Sequence, residues 1–154
     1  MKDTVTGTER NVRRLSGICA EILTDLPELE DLRLKFLILA KEENEENTEE
    51  IAGENADAAG LSLKMLSLCS EASQTLRKLC GGEGRDRAAV IGTAASVLCA
   101  AAEGAGLAVY GDTRHMKDRK VAKQYNSRAK KETEEVRRGL QKVLEESFLK
   151  LTSL

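Results

Sequence analysis

The sequence predicts an all-α protein, an up-and-down bundle of four to five helices with a buried small-residue central helix and a long C-terminal helix. Three observations predict it. The stretch Ala88–Val109 is almost wholly apolar and mostly small, with Glu103 its one charge, so it has no wide polar face for water and suits a helix surrounded by helices. Ala, Leu, Glu, Lys and Arg dominate, aromatics make up 3% and Pro occurs once, a helix-forming composition without period-2 β-branched runs. Elsewhere apolar residues recur at three- and four-residue steps.

The elements follow in order. The first helix spans about Glu9–Leu23, with Val12, Leu15, Ile18, Cys19 and Ile22 as its stripe and Thr8 as a candidate cap. Thr24–Pro27 is a break and restart, where Asp25 can cap and Pro27 suits a first helical turn because its missing N–H has no partner there. The next helix carries Leu29, Leu32, Phe36, Leu37, Leu39 and Ala40. It runs into the acidic stretch 42–50, whose clustered like charges oppose one another on a helix; the expectation there is helix with a break near Asn44–Asn47. Helix resumes over Ile51–Leu79 with a stripe of Leu61, Met65, Leu68, Ala72, Leu76 and Leu79. Gly53 and Gly60 mark either a kink or a close backbone approach, and Cys80–Gly84 stops the helix.

Ala88–Val109 is the central helix, Tyr110–Arg114 a break, and Met116–Leu151 the long final helix. Its stripe of Val121, Tyr125, Ala129, Val136, Leu140, Val143, Phe148 and Leu151 thins at Glu132 and Thr133. The whole is read as one domain, long enough to bury a core without disulfide or metal.

Several function classes are disfavoured. A formal net charge of -2 argues against a general nucleic-acid binder. The N-terminus has no apolar signal region, and Glu103 cuts the apolar run short of the roughly 18 residues of a membrane span. Cys19, Cys69, Cys80 and Cys99 match no zinc spacing and read as free thiols, so no metal is expected and the compartment is cytoplasmic. Gly81–Gly84 follows a helix and lacks a P-loop lysine, so it reads as a turn.

Chemistry concentrates after the central helix. The single histidine, His115, lies between Arg114 and Lys117; it is either a general base or anion ligand, or an exposed loop residue. Residues 114–131 carry eight cations against Asp118 alone, either an anion-binding stripe or a solvated face that balances the acidic stretch. Tyr125 is the one aromatic in that stripe, which weakens a nucleic-acid reading further.

The order Glu103-Gly104-Ala105-Gly106-Leu107-Ala108-Val109-Tyr110-Gly111-Asp112, then Thr113-Arg114-His115-Met116-Lys117-Asp118, resembles the formiminotetrahydrofolate cyclodeaminase and methenyltetrahydrofolate cyclohydrolase family. Gly92 and Gly104 fall at the family's glycine places. Val109, Lys117 and Asp118 match its Asn-Val-Arg-Ile-Asn-Leu-Lys-Ser-Ile-Lys-Asp turn, and Arg114 stands where the family tends to have Lys. Residues 9–80 are similar to the family's preceding helices in order and rough length. The family's Pro/Gly-rich opening, ending Gly-Gly-Gly-Ser, has no counterpart in these residues. The alignment puts Val90 where the family has the Asp of a Ser-Asp pair, Ala108 at the first Asn of the turn and Asp112 at the second.

The resemblance implies an all-α homodimer with a folate ligand between subunits and a reaction that eliminates ammonia from a formimino-folate as the methenyl bridge closes. It implies no cofactor beyond a tetrahydrofolate derivative as substrate. Asp112 and His115 are then the proton-transfer candidates, and Arg114 and Lys117 the partners of the folate glutamate tail. Val90 and Ala108 imply impaired catalysis. The competing expectations are a non-enzymatic helical interaction protein and one half of a split enzyme.

Overall fold

The computed structural model describes residues 7–41, 56–82 and 85–153, and among these every regular element is helical. Helix α1 spans Gly7–Ile22, α2 Glu30–Lys41, α3 Ala56–Gly82, α4 Ala88–Thr113 and α5 Arg119–Thr152. Single 3₁₀ turns at Leu23–Asp25 and Pro27–Leu29 join α1 to α2, and another at Arg85–Arg87 precedes α4. The chain is an all-α bundle around α4, which packs against α1, α3 and α5.

The α1–α2 connection turns sharply because Leu23, Leu26 and Leu29, three residues apart, are each at most 1% exposed and anchor it to the core. Pro27 opens the second 3₁₀ turn, as its fixed φ allows. Asp25 does not cap; neither turn has a side-chain cap hydrogen bond. Arg87 clamps this connection to the start of α4 by a two-pronged pair with Glu28, at 2.7 and 2.8 Å, which holds the Glu28 carboxyl down at about 2. In α1 the buried Arg13 is satisfied, donating to the Leu39 carbonyl at 2.9 Å and to Glu9 at 3.0 Å.

The central helix is as expected. Ile91, Ala94, Ala95, Leu98, Ala101, Ala102, Ala105 and Val109 lie in the core. By length and composition Arg85–Thr113 would pass for a membrane span; half of its most apolar window is buried within the bundle. Small residues bring helices together here. A Cβ on Gly92 would lie 3.0 Å from Ser147 Cβ of α5, and one on Gly106 would lie 2.6 Å from Thr133 Oγ1.

Some boundaries and faces differ from the sequence reading. Tyr110–Thr113 is not a break: α4 continues through it, and α5 begins at Arg119 with Asp118 as its cap, the Asp118 carboxylate accepting from the Lys120 and Val121 amides at 3.1 Å. Thr8 lies inside α1, its hydroxyl bonded to Asp112. Helix α3 runs on through Gly81 and Gly82. Among the described residues nothing approaches Gly60 closely, while Gly53 and the acidic stretch 42–50 lie outside the described residues. Ile18, Phe148 and Leu151 point outward, at 52%, 64% and 45% exposure. Cys19 and Cys69 instead meet in the core, where their mutual contact and burial push the Cys69 thiol well up.

Candidate functional site

The connection between α4 and α5 is held by its own side chains. Met116 is 7% exposed and tucks inward, and its amide bonds to the Thr113 carbonyl at 3.1 Å. Arg119 reaches back and donates to the Thr113 and Met116 carbonyls, at 2.9 and 3.1 Å, satisfying groups that a helix end leaves open. The buried Thr113 hydroxyl lies 2.6 Å from Asn126 Oδ1 of α5, and the Tyr110 hydroxyl donates to the Asn126 carbonyl at 3.3 Å. These bonds carry α4 past Gly111 and Asp112, residues that taken alone read as helix breakers.

With Met116 turned in, Arg114, His115 and Lys117 face solvent and all three are exposed. Asp112 is the half-buried member of the turn. Its Oδ1 accepts from Thr8 Oγ1 at 2.5 Å, whereas Oδ2 is buried with no hydrogen-bond partner. Burial raises the Asp112 carboxyl above the usual carboxylate range; the Thr8 bond opposes the rise, the nearby Glu9 charge adds to it, and His115 opposes it. The His115 amide bonds to the Asp112 carbonyl at 3.3 Å. The structure thus groups Asp112 and His115 in one turn, with Asp112 facing α1 and the two cations projecting outward.

A groove of ≈ 490 Å³ between α1 and α4 is lined by Thr8, Asn11, Arg14, Leu15, Gly104 and Ala108 among others; it includes Thr8, the partner of Asp112, and not Asp112 itself. Ala108, 5% exposed, occupies the floor one helical turn before Asp112. Val90 is partly buried against the core near the other end of α4. Among the described residues no group of three or more His, Cys, Asp or Glu is placed to hold a metal ion. In the basic stripe, Arg119 serves the helix end and Arg128 pairs with Glu132 at 2.6 Å.

Thr8 and Asn126 were not foreseen. Thr8 is 104 residues from Asp112 and belongs to another helix, so no local pattern marks it. Asn126 carried a signal, an amide within the apolar period of α5 between Tyr125 and Ala129.

Asp112 sets a pH dependence. Its folded-state pKa is raised, so folding favours the protonated form; that contribution is complete below the unfolded pKa and is lost as pH rises through the folded one. Asp112→Asn, which mimics the protonated acid, should therefore gain in melting temperature relative to the parent on going from strongly acidic to neutral pH. Thermal melts across that range check it, and an Asn-minus-Asp difference independent of pH would contradict it.

No curated protein matches the sequence. Residues 33–131 match the family model described as formiminotransferase-cyclodeaminase. The match runs from α2 through the whole of α4 and the Asp112–Lys117 turn into α5. Covering well over half of the chain, it shows that the protein belongs to the formiminotransferase-cyclodeaminase family.

Proposed function

We propose that this chain is a divergent cyclodeaminase- or cyclohydrolase-like protein of folate one-carbon metabolism whose catalysis is impaired. The observation that carries the reading is Asp112, a half-buried acid in the family-matched turn whose raised pKa and unpartnered Oδ2 suit a group that holds and passes a proton. In this reading a reduced folate lies along the α1–α4 groove. The folate N10 bonds to the formimino carbon as the bond from that carbon to the imino nitrogen breaks; the nitrogen takes the N10 proton and the Asp112 proton and leaves as ammonia. Arg114 and Lys117, exposed on the same turn, pair with the carboxylates of the glutamate tail.

Ala108 and Val90 account for the impairment. Both positions are polar in the family pattern, and an alanine or valine side chain offers no hydrogen bond to a pterin or to a shifting proton. Ammonia elimination needs such groups in the transition state, whereas binding alone needs them less.

Titration with 5-formiminotetrahydrofolate, followed by calorimetry and by the absorbance of the methenyl product, tests the reading. Binding with slow turnover that Asp112→Asn abolishes is the expected result; absence of both binding and turnover at high ligand concentration would overturn it. A non-enzymatic interaction protein is the second reading. It is favoured by the apolar side chains left outward on one side, Leu107 at 72% and Ile18 at 52% exposure, which a second copy in a homodimer would cover. Sedimentation as a dimer with no folate binding would favour it over the first.

A further inference from the structure

The side of the bundle formed by α2, α3 and α5 carries a second hollow, a groove of ≈ 540 Å³. It shares no residue with the Asp112–Lys117 turn or with the α1–α4 groove. Its floor is apolar: Leu39, Leu63 and Leu68 are 7%, 3% and 9% exposed, with Tyr125 beside them. Three cations line it, one from each helix: Lys35 from α2, Lys64 from α3 and Arg128 from α5.

Among the described residues no acidic side chain lines the groove. Arg128 is engaged at one edge by Glu132 at 2.6 Å and by Ser67 at 3.3 Å. Lys35 and Lys64 have no acid partner among the described residues, and both are exposed. The two lysine charges stand at the rim of an apolar floor that, among the described residues, carries no anion to answer them. Gly60 also lines the groove, inside α3, where glycine weakens a helix relative to alanine. Among the described residues no atom lies within 4 Å of where a Cβ on Gly60 would sit.

We propose that this groove binds a small aromatic carboxylate. Its volume lies within the range of about 300–1,000 Å³ typical of small-molecule sites. The leucine floor and Tyr125 take a flat apolar body, and the two unpaired lysines take the carboxylate at the rim. The two lysines select against cationic molecules, which they would repel. The proposal is independent of the folate reading, because none of its residues belongs to the site assigned there.

The test uses the full chain and a fluorescent pair of equal shape, pyrenebutyrate and the neutral pyrenebutanol, titrated by anisotropy. Pyrenebutyrate should bind saturably at one site and about tenfold more tightly than pyrenebutanol. Lys64→Glu and, on a different helix, Lys35→Glu should each remove about tenfold from pyrenebutyrate alone. Gly60→Phe, which fills the hollow, should weaken both probes, and Lys142→Glu, exposed on α5 and outside both grooves, should change neither. Circular dichroism confirms that each variant is folded, and either lysine variant suffices for the charge comparison. No saturable binding to the parent protein would overturn the proposal. Equal affinity for the two probes would also overturn it, as would binding that survives both a lysine reversal and Gly60→Phe.

Discussion

Phe36→Ala should destabilise the protein by about 3–5 kcal/mol, while Phe148→Ala costs less than about 1 kcal/mol. These are the chain's two phenylalanines, so the same deletion is made twice in opposite surroundings. Phe36, on α2, is 0% exposed and heads the largest fully buried side chains of the core; Phe148, near the end of α5, is 64% exposed. Removing Phe36 loses the transfer free energy of a ring and leaves a cavity that rigid helical neighbours only partly close. Removing Phe148 exchanges a solvated ring for a solvated methyl. A loss of this size is a large share of the 5–15 kcal/mol typical of a whole domain, so the Phe36 variant should be partly unfolded near physiological temperature. Urea titration of both variants reads the difference as a shift in midpoint at constant slope. Equal losses at the two sites would contradict the placement of Phe36 in the core.

The contrast also shows which structural information is local. Phe36 and Phe148 both sit on apolar stripes at helical spacing, and periodicity alone assigns both inward. The stripe holds for Phe36 because α2 packs on α1 and α3. It fails at Phe148, where Ser147 takes the inward position: a Cβ on Gly92 would sit 3.0 Å from that serine, an approach that leaves no room for a ring. Helix number and the central place of α4 were legible because composition and period are carried by contiguous residues. The end of α4 was not. Gly111 and Asp112 are turn-formers by local preference, overridden by Arg119, Asn126 and Thr8, which lie further along the chain or on another helix. The candidate site divides in the same way. Asp112, Arg114, His115 and Lys117 are neighbours in sequence, but Asp112 is half-buried against Thr8 of α1, and the other three are exposed around an inward Met116. The groove of Lys35, Lys64 and Arg128 draws on three distant segments, each an ordinary charged helix face when read alone.

Gly106→Leu should cost about 3 kcal/mol, and much of that cost should depend on one residue across the α4–α5 seam. A Cβ at Gly106 would fall 2.6 Å from Thr133 Oγ1 and 3.6 Å from Thr133 Cβ and Cγ2, so anything longer than a methyl must push α5 away. Gly106→Ala tests the same contact more gently. Alanine gains about 1 kcal/mol of helix preference over glycine, and against this the Thr133 hydroxyl must rotate aside. That hydroxyl is buried with no hydrogen-bond partner, so it has no bond to lose by moving, and deleting it removes an uncompensated polar group. Thr133→Ala should therefore make Gly106→Ala net stabilising and recover part of the loss in Gly106→Leu. A double-mutant cycle by urea titration should give a coupling of about 1 kcal/mol or more, whereas additive losses would mean that the two residues do not touch. Gly104→Ala serves as the comparison. Its Cβ would meet only the Leu15 Cδ1 end of a flexible side chain on α1, which can swing away, so its cost should not depend on Thr133. The glycines of α4 thus divide by what faces them: Gly106 holds α5 at a fixed distance, and that distance places Asn126 against Thr113 and keeps the Asp112 turn helical. If so, Gly106→Leu should also alter the pH dependence that Asp112 confers, through a seam that never touches the carboxylate.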